Sequence, residues 1–125
     1  MTKLENKKIS QKLLQLIKPY MKVVERSHTK QRLSSLLVVG STAWNMDVTG
    51  KKELKNVLLQ SINDNGKEGL PEIEYMIDNL VQRKKRLFPD DDRFILDCKI
   101  NSVKRKKYDV TVSFLNKHEY EKLQK

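Results

Sequence analysis

Apolar positions fall into four helical stripes and one long alternating stretch. Ile9, Leu13, Leu16, Ile17, Tyr20, Met21 and Val24 recur every three or four residues, which puts one apolar stripe down a helix over about 7–25. Pro19 interrupts it. Proline lacks an amide hydrogen and clashes with the preceding turn, so a kink or break is predicted near Lys18. Leu33, Leu36, Leu37, Gly40 and Trp44 fit one face of a second helix running to about Asn45. A short strand, Leu36 to Val39 ended by Gly40-Ser41, is the rival for that segment, because β-branched residues and glycine favour it.

Leu54, Val57, Leu58 and Ile62 share one face of a third segment, Lys51 to Ile62. The run Asn63 to Gly69 is loop chemistry. Ile73, Met76, Ile77, Leu80, Val81 and Leu87 then form the cleanest stripe, predicting a helix over 71–88. Pro71 suits its first turn, and Phe88-Pro89 ends it. Acidic residues lie in its first half and Arg83 to Arg86 at its end, an order that complements the helix dipole.

From Arg93 to Leu115 the period changes to two. Phe94, Leu96, Cys98 and Ile100 alternate on one arm, and Tyr108, Val110, Val112 and Phe114 on the other. This is the pattern of a half-buried β-hairpin, with Ile95, Asp97, Lys99, Asn101, Asp109, Thr111 and Ser113 facing water. A lone hairpin is marginal in water, so its apolar face must lie on something. The preceding helix, 71–88, is the expected support. The hairpin's two open edges are expected to be covered by a strand from 36–39, by the first helix or by a second copy of the chain. The last ten residues are read as a short helix or a frayed tail. The expected fold is α+β: three to four amphipathic helices, then a C-terminal antiparallel hairpin, in one small basic domain of residues 1–125.

Charge changes the picture more than composition does. With 38% hydrophobic residues the chain can build a core, and 26 Lys/Arg against 16 Asp/Glu leave a net charge of +10. That balance favours polyanionic or acidic partners. Two four-residue clusters, Arg83-Lys84-Lys85-Arg86 and Lys104-Arg105-Lys106-Lys107, are the candidate polyanion-binding residues. Laid along the helix 71–88, the hairpin would hold them apart as separate patches. Few aromatic residues interleave with them, which argues against base stacking.

Candidate chemistry is sparse. Asp90-Asp91-Asp92 lacks the spacing of a calcium loop and reads as a solvated corner pairing with Arg83–Arg86. His28 and His118 have no partnering metal or triad pattern. The single Cys98 reads as a small buried hydrophobe. No catalytic, cofactor-binding or metal-ligating residue is assigned, and an enzyme is not expected. Trp44, the only tryptophan, is assigned to a core or an interface. No apolar run approaches the ~20 residues a membrane span needs. The absence of a disulfide framework points to the cytoplasm. The first functional expectation is a non-catalytic protein-interaction module, with self-association as a homodimer one form of it. The second is sequence-indifferent nucleic-acid binding through the Lys/Arg clusters.

Overall fold

The computed structural model describes residues 8–26, 29–64, 70–104 and 107–124. Five helices precede the hairpin: α1 Ile9–Ile17, α2 Met21–Arg26, α3 Thr29–Thr49, α4 Glu53–Asp64 and α5 Leu70–Leu87. Strands β1 Phe94–Lys104 and β2 Lys107–Leu115 form a two-stranded antiparallel sheet, and a short α6 Lys117–Leu123 closes the described chain. The α+β architecture expected from the patterning is present. A 3-10 turn at Lys18–Tyr20, with Pro19 inside it, separates α1 from α2 where the proline forbids a continuous helix.

The segment 33–44 is helix throughout, and α3 is the axis of the fold. It packs against α5, β1 and α1. Leu33, Leu36, Leu37, Val39, Gly40, Ala43, Trp44, Asn45 and Met46 are all buried along it. Being covered on more than one side removes the single-stripe signature, so local preference alone leaves helix and strand level. Gly40 marks a close approach: a Cβ there would stand 2.6 Å from Ile17 Cγ2 on α1. The helix ends at Gly50, whose φ of +70° is left-handed and whose amide donates to the Met46 carbonyl at 2.8 Å.

Two expectations about the hairpin are corrected. It does not rest on α5: β1 packs on α3, and β2 meets α1. Nor is its alternation unbroken. The register slips between Ile95 and Asp97 and again between Ile100 and Ser102, the signature of one extra residue at each place. Each slip moves the following side chains to the opposite face. Ile95, expected outside, is buried at 4% exposure, and Leu96, expected inside, is 54% exposed. Val110 and Val112 are buried opposite Ile100 and Cys98, as the alternation of β2 requires.

The remaining elements brace this centre. Helix α4 reaches Asp64, so Asn63 and Asp64 are helical rather than loop, and residues 65–69 lie outside the described part. Val57, assigned to the apolar face of α4, is exposed, while Leu54, Leu58 and Leu59 are half-buried. Lys55 joins α4 to Asp78 of α5 at 3.3 Å. Helix α6 begins at Asn116, whose amide donates to Glu119 Oε1. Tyr120 of α6 stacks on Phe94 with ring centroids 4.3 Å apart, and Lys51 Nζ donates to the Tyr120 hydroxyl at 3.2 Å. Among the described residues, no helix is long and apolar enough to cross a membrane.

Candidate functional site

The Arg83–Arg86 cluster divides, because its members point into different surroundings. Lys84 is fully buried at 0% exposure. Its ammonium donates to Asp47 Oδ2, to the Phe88 carbonyl and to the Asp91 carbonyl, each at 2.8 Å, and stands 4.8 Å from the centre of the Trp44 ring. All three protons of the lysine are therefore used inside the protein. Lys84 is corrected from polyanion ligand to internal tie. Arg83 is turned inward as well, donating to the carbonyls of Leu16 at 2.9 Å and Gln15 at 3.0 Å. Those carbonyls lie in the last turn of α1, where the helix dipole favours a positive charge. Lys85, Arg86, Lys104 and Lys107 are exposed, and Arg105 and Lys106 lie outside the described residues.

Trp44 is a core residue. It is fully buried, its indole Nε1–H donates to the Arg93 carbonyl at 2.7 Å, and its ring lies 6.0 Å from that of Phe88. It presents no surface to a partner.

The acidic corner is also reassigned. Asp91 pairs with Lys12 of α1 at 2.9 Å and with the Arg93 guanidinium, whose Nε donates to it at 2.8 Å, rather than with Arg83–Arg86. Its side chain is only 5% exposed. Burial by itself would raise its pKa, but the hydrogen bonds from Arg93 and Lys12 outweigh that and hold it at about 2. Its folded pKa thus lies below the ordinary 3.8, so its stabilising contribution is complete above that value and fades as pH falls toward 2. Acid titration of the folded protein followed by urea unfolding is expected to show a loss on the order of 2 kcal/mol over this window that is absent in Asp91→Asn.

The surface that looks built to receive something lies elsewhere, between α3 and β1. A groove of about 810 Å³ is lined by Lys30, Ser34, Val38, Ser41 and Thr42 of α3 and by residues 95–100 of β1. Asn45 closes one end. Its side-chain amide donates to the Ile95 carbonyl at 2.9 Å, and its Oδ1 accepts from the Ile95 amide at 2.8 Å. This is the two-bond exchange that a neighbouring strand would make. The Ile95 backbone therefore points away from β2. Along β2 the outward-pointing residues alternate, and the partners of Val112 and Val110 are Cys98 and Ile100. The backbone N–H and C=O groups of Cys98 and Ile100 consequently face the groove. Ser41 Oγ lies 3.2 Å from Cys98 Sγ, fixing α3 antiparallel beside β1, with Lys30 toward the Ile100 end. Burial raises the Cys98 thiol pKa and Asp97 adds to the shift, against a lowering contact from Ser41. The thiol thus stays protonated and unreactive.

Two of the exposed large hydrophobics of the described residues, Val38 at 51% and Leu96 at 54%, line this groove. None of Lys30, Val38, Ser41, Asn45 or Leu96 was singled out as a site from the sequence. Asn45 carried one legible signal, an amide between Trp44 and Met46 in an apolar stretch. The chain matches no family model, no curated protein and no solved structure.

Proposed function

We propose that this protein is a non-catalytic interaction module that accepts an extended segment of a partner protein as an added strand on the open edge of β1. The observation that carries this reading is the contrast along one edge. At Ile95 the outward backbone groups are met by Asn45, while at Cys98 and Ile100 they open onto a groove with a helix as its floor. Strand addition uses such an edge: main-chain bonds supply affinity, and the groove sorts alternate side chains.

Self-association through β1 fits less well. A second copy would bring its own α3 to the same face of the joined sheet. Paired strands lie about 4.8 Å apart, whereas packed helix axes need about 8–10 Å. An extended segment without a helix beneath it avoids that collision. The nucleic-acid reading keeps Lys85, Arg86, Lys104 and Lys107 as exposed cations but loses Arg83 and Lys84 to internal contacts.

Display of random dodecapeptides against the full chain, followed by amide chemical-shift mapping, tests the proposal. Selected peptides are expected to perturb Cys98 to Ile100 and the groove face of α3. They are expected to lose binding in Ile100→Pro, which removes an outward donor while leaving the ladder to β2 intact. Val38→Glu, at a half-exposed helix position, should block the groove without unfolding the chain. Peptides that map elsewhere, or binding of a single-stranded oligonucleotide with steep salt dependence and no peptide selected, would overturn it.

A further inference from the structure

The geometry points to the sign pattern of the segment that the groove takes: apolar, acidic, apolar, basic, read from its amino terminus and running antiparallel to β1. This inference rests on the proposed strand addition and goes further by naming the partner's chemistry and direction.

Register sets the pattern. Cys98 and Ile100 point their backbone groups outward and their side chains toward α3. In an antiparallel pair, residues directly opposite each other project to the same face. Segment residues opposite Ile100 and Cys98 therefore point down onto α3, where Leu37, Val38 and Ser41 line the floor. Apolar side chains of modest size suit that floor. The segment residue between them lies opposite Lys99 and projects to the outer face with it. Lys99 is exposed and makes no ion pair among the described residues. An acidic residue placed opposite it completes a cross-strand pair.

The two ends follow from the orientation of α3. Lys30 stands at the Ile100 end, which is where an antiparallel segment begins. The segment residue that precedes the one opposite Ile100 alternates to the outer face, away from Lys30 on the floor, and is left uncharged. At the other end Asp97 is exposed on the same face as Lys99, so a basic residue fits opposite it. Asn45, already bonded to both backbone groups of Ile95, stops the added strand beyond that point and fixes the register. Antiparallel pairing is preferred because its hydrogen bonds are perpendicular to the strands and slightly more stable per residue.

Two peptides of equal net charge separate this pattern from its opposite: Thr-Thr-Val-Glu-Val-Lys-Thr and Thr-Thr-Val-Lys-Val-Glu-Thr, both with capped ends, titrated into the full chain at low salt. A third, Thr-Thr-Val-Gln-Val-Gln-Thr, reports strand addition without charge. The first is expected to bind about fivefold or more tighter than the uncharged peptide, and the second more weakly than it. The advantage of the first should shrink at ~0.5 M salt as the outer-face pairs are screened. Reversal of the preference in Asp97→Lys/Lys99→Glu, both solvent-facing substitutions, would confirm the residues responsible. Equal binding of all three peptides, lost in Ile100→Pro, would overturn the sign pattern while leaving strand addition standing. Equal affinity of the first peptide for the native chain and for Ile100→Pro would remove both.

Discussion

Lys84→Ala is expected to lower the unfolding free energy by about 3–5 kcal/mol, the usual cost of leaving one partner of a buried ion pair alone. The ammonium reaches Asp47, the end of α5 and the acidic corner at once. Without it the Asp47 carboxylate faces the Trp44 side of the core unpaired, and the carbonyls of Phe88 and Asp91 lose their common donor. A buried acceptor stripped of its donor carries its full desolvation cost. Lys84→Met separates charge from packing, since it keeps most of the stem but supplies no donor. It is expected to fall nearly as far as alanine. Lys84→Met combined with Asp47→Leu should recover a large part of the loss, because an apolar pair replaces the ion pair without leaving a charge behind. Urea denaturation of the native chain, Lys84→Met, Asp47→Leu and their combination gives the coupling directly. A drop of under ~1 kcal/mol in Lys84→Ala would mean that the lysine is free to leave the core, and it would return to the exposed basic cluster.

The same lysine shows why the sequence misleads at this point. Arg83, Lys84, Lys85 and Arg86 are four consecutive cations, but successive helix residues are about 100° apart and cannot share one face. The stripe of Ile73, Met76, Ile77, Leu80 and Val81 continues geometrically to Lys84, three or four residues beyond each of the last two. The helical period placed Lys84 on the buried face all along. Reading the cluster as a charge run hid that. Asp47, its partner, lies 37 positions earlier, and nothing local to either residue announces the pair.

Several elements were legible because each follows from a local rule. Proline broke the first helix at Pro19, Phe88-Pro89 closed the helix over 71–88, and the change of period at Arg93 announced the hairpin. What could not be read was how those elements assemble. The hairpin's support is α3 rather than its neighbour in sequence, and α3 lacks a clean stripe because it is enclosed on several sides. The two slips in β1 have a similar cause. Side chains on a strand alternate strictly, so one extra residue after Ile95 is enough to exchange the roles of Ile95 and Leu96. The candidate groove depends on that exchange, since it puts Leu96 on the surface and leaves Ile95 within reach of Asn45.

Asn45→Ala is expected to cost about 2–4 kcal/mol, with both backbone groups of Ile95 left without partners at a site where Ile95 is 4% exposed. Shape is a smaller part of this loss than hydrogen bonding, and Asn45→Asp tests that. Aspartate keeps the acceptor for the Ile95 amide but turns a second oxygen on the Ile95 carbonyl. Ionised, it repels that carbonyl and carries a charge into a buried position, so the variant should be at least as unstable as alanine near neutral pH. Protonated, it donates where the amide did. Its folded pKa must therefore lie above its unfolded value, and stability should return as pH falls through the folded value. Denaturant unfolding from pH 7 to pH 4 would show Asn45→Asp gaining on Asn45→Ala. Parallel curves for the two variants would mean that the side chain fills space rather than standing in for a strand. The stop at the end of the groove would then lose its physical basis, because the register of any added strand depends on the Ile95 edge being already taken.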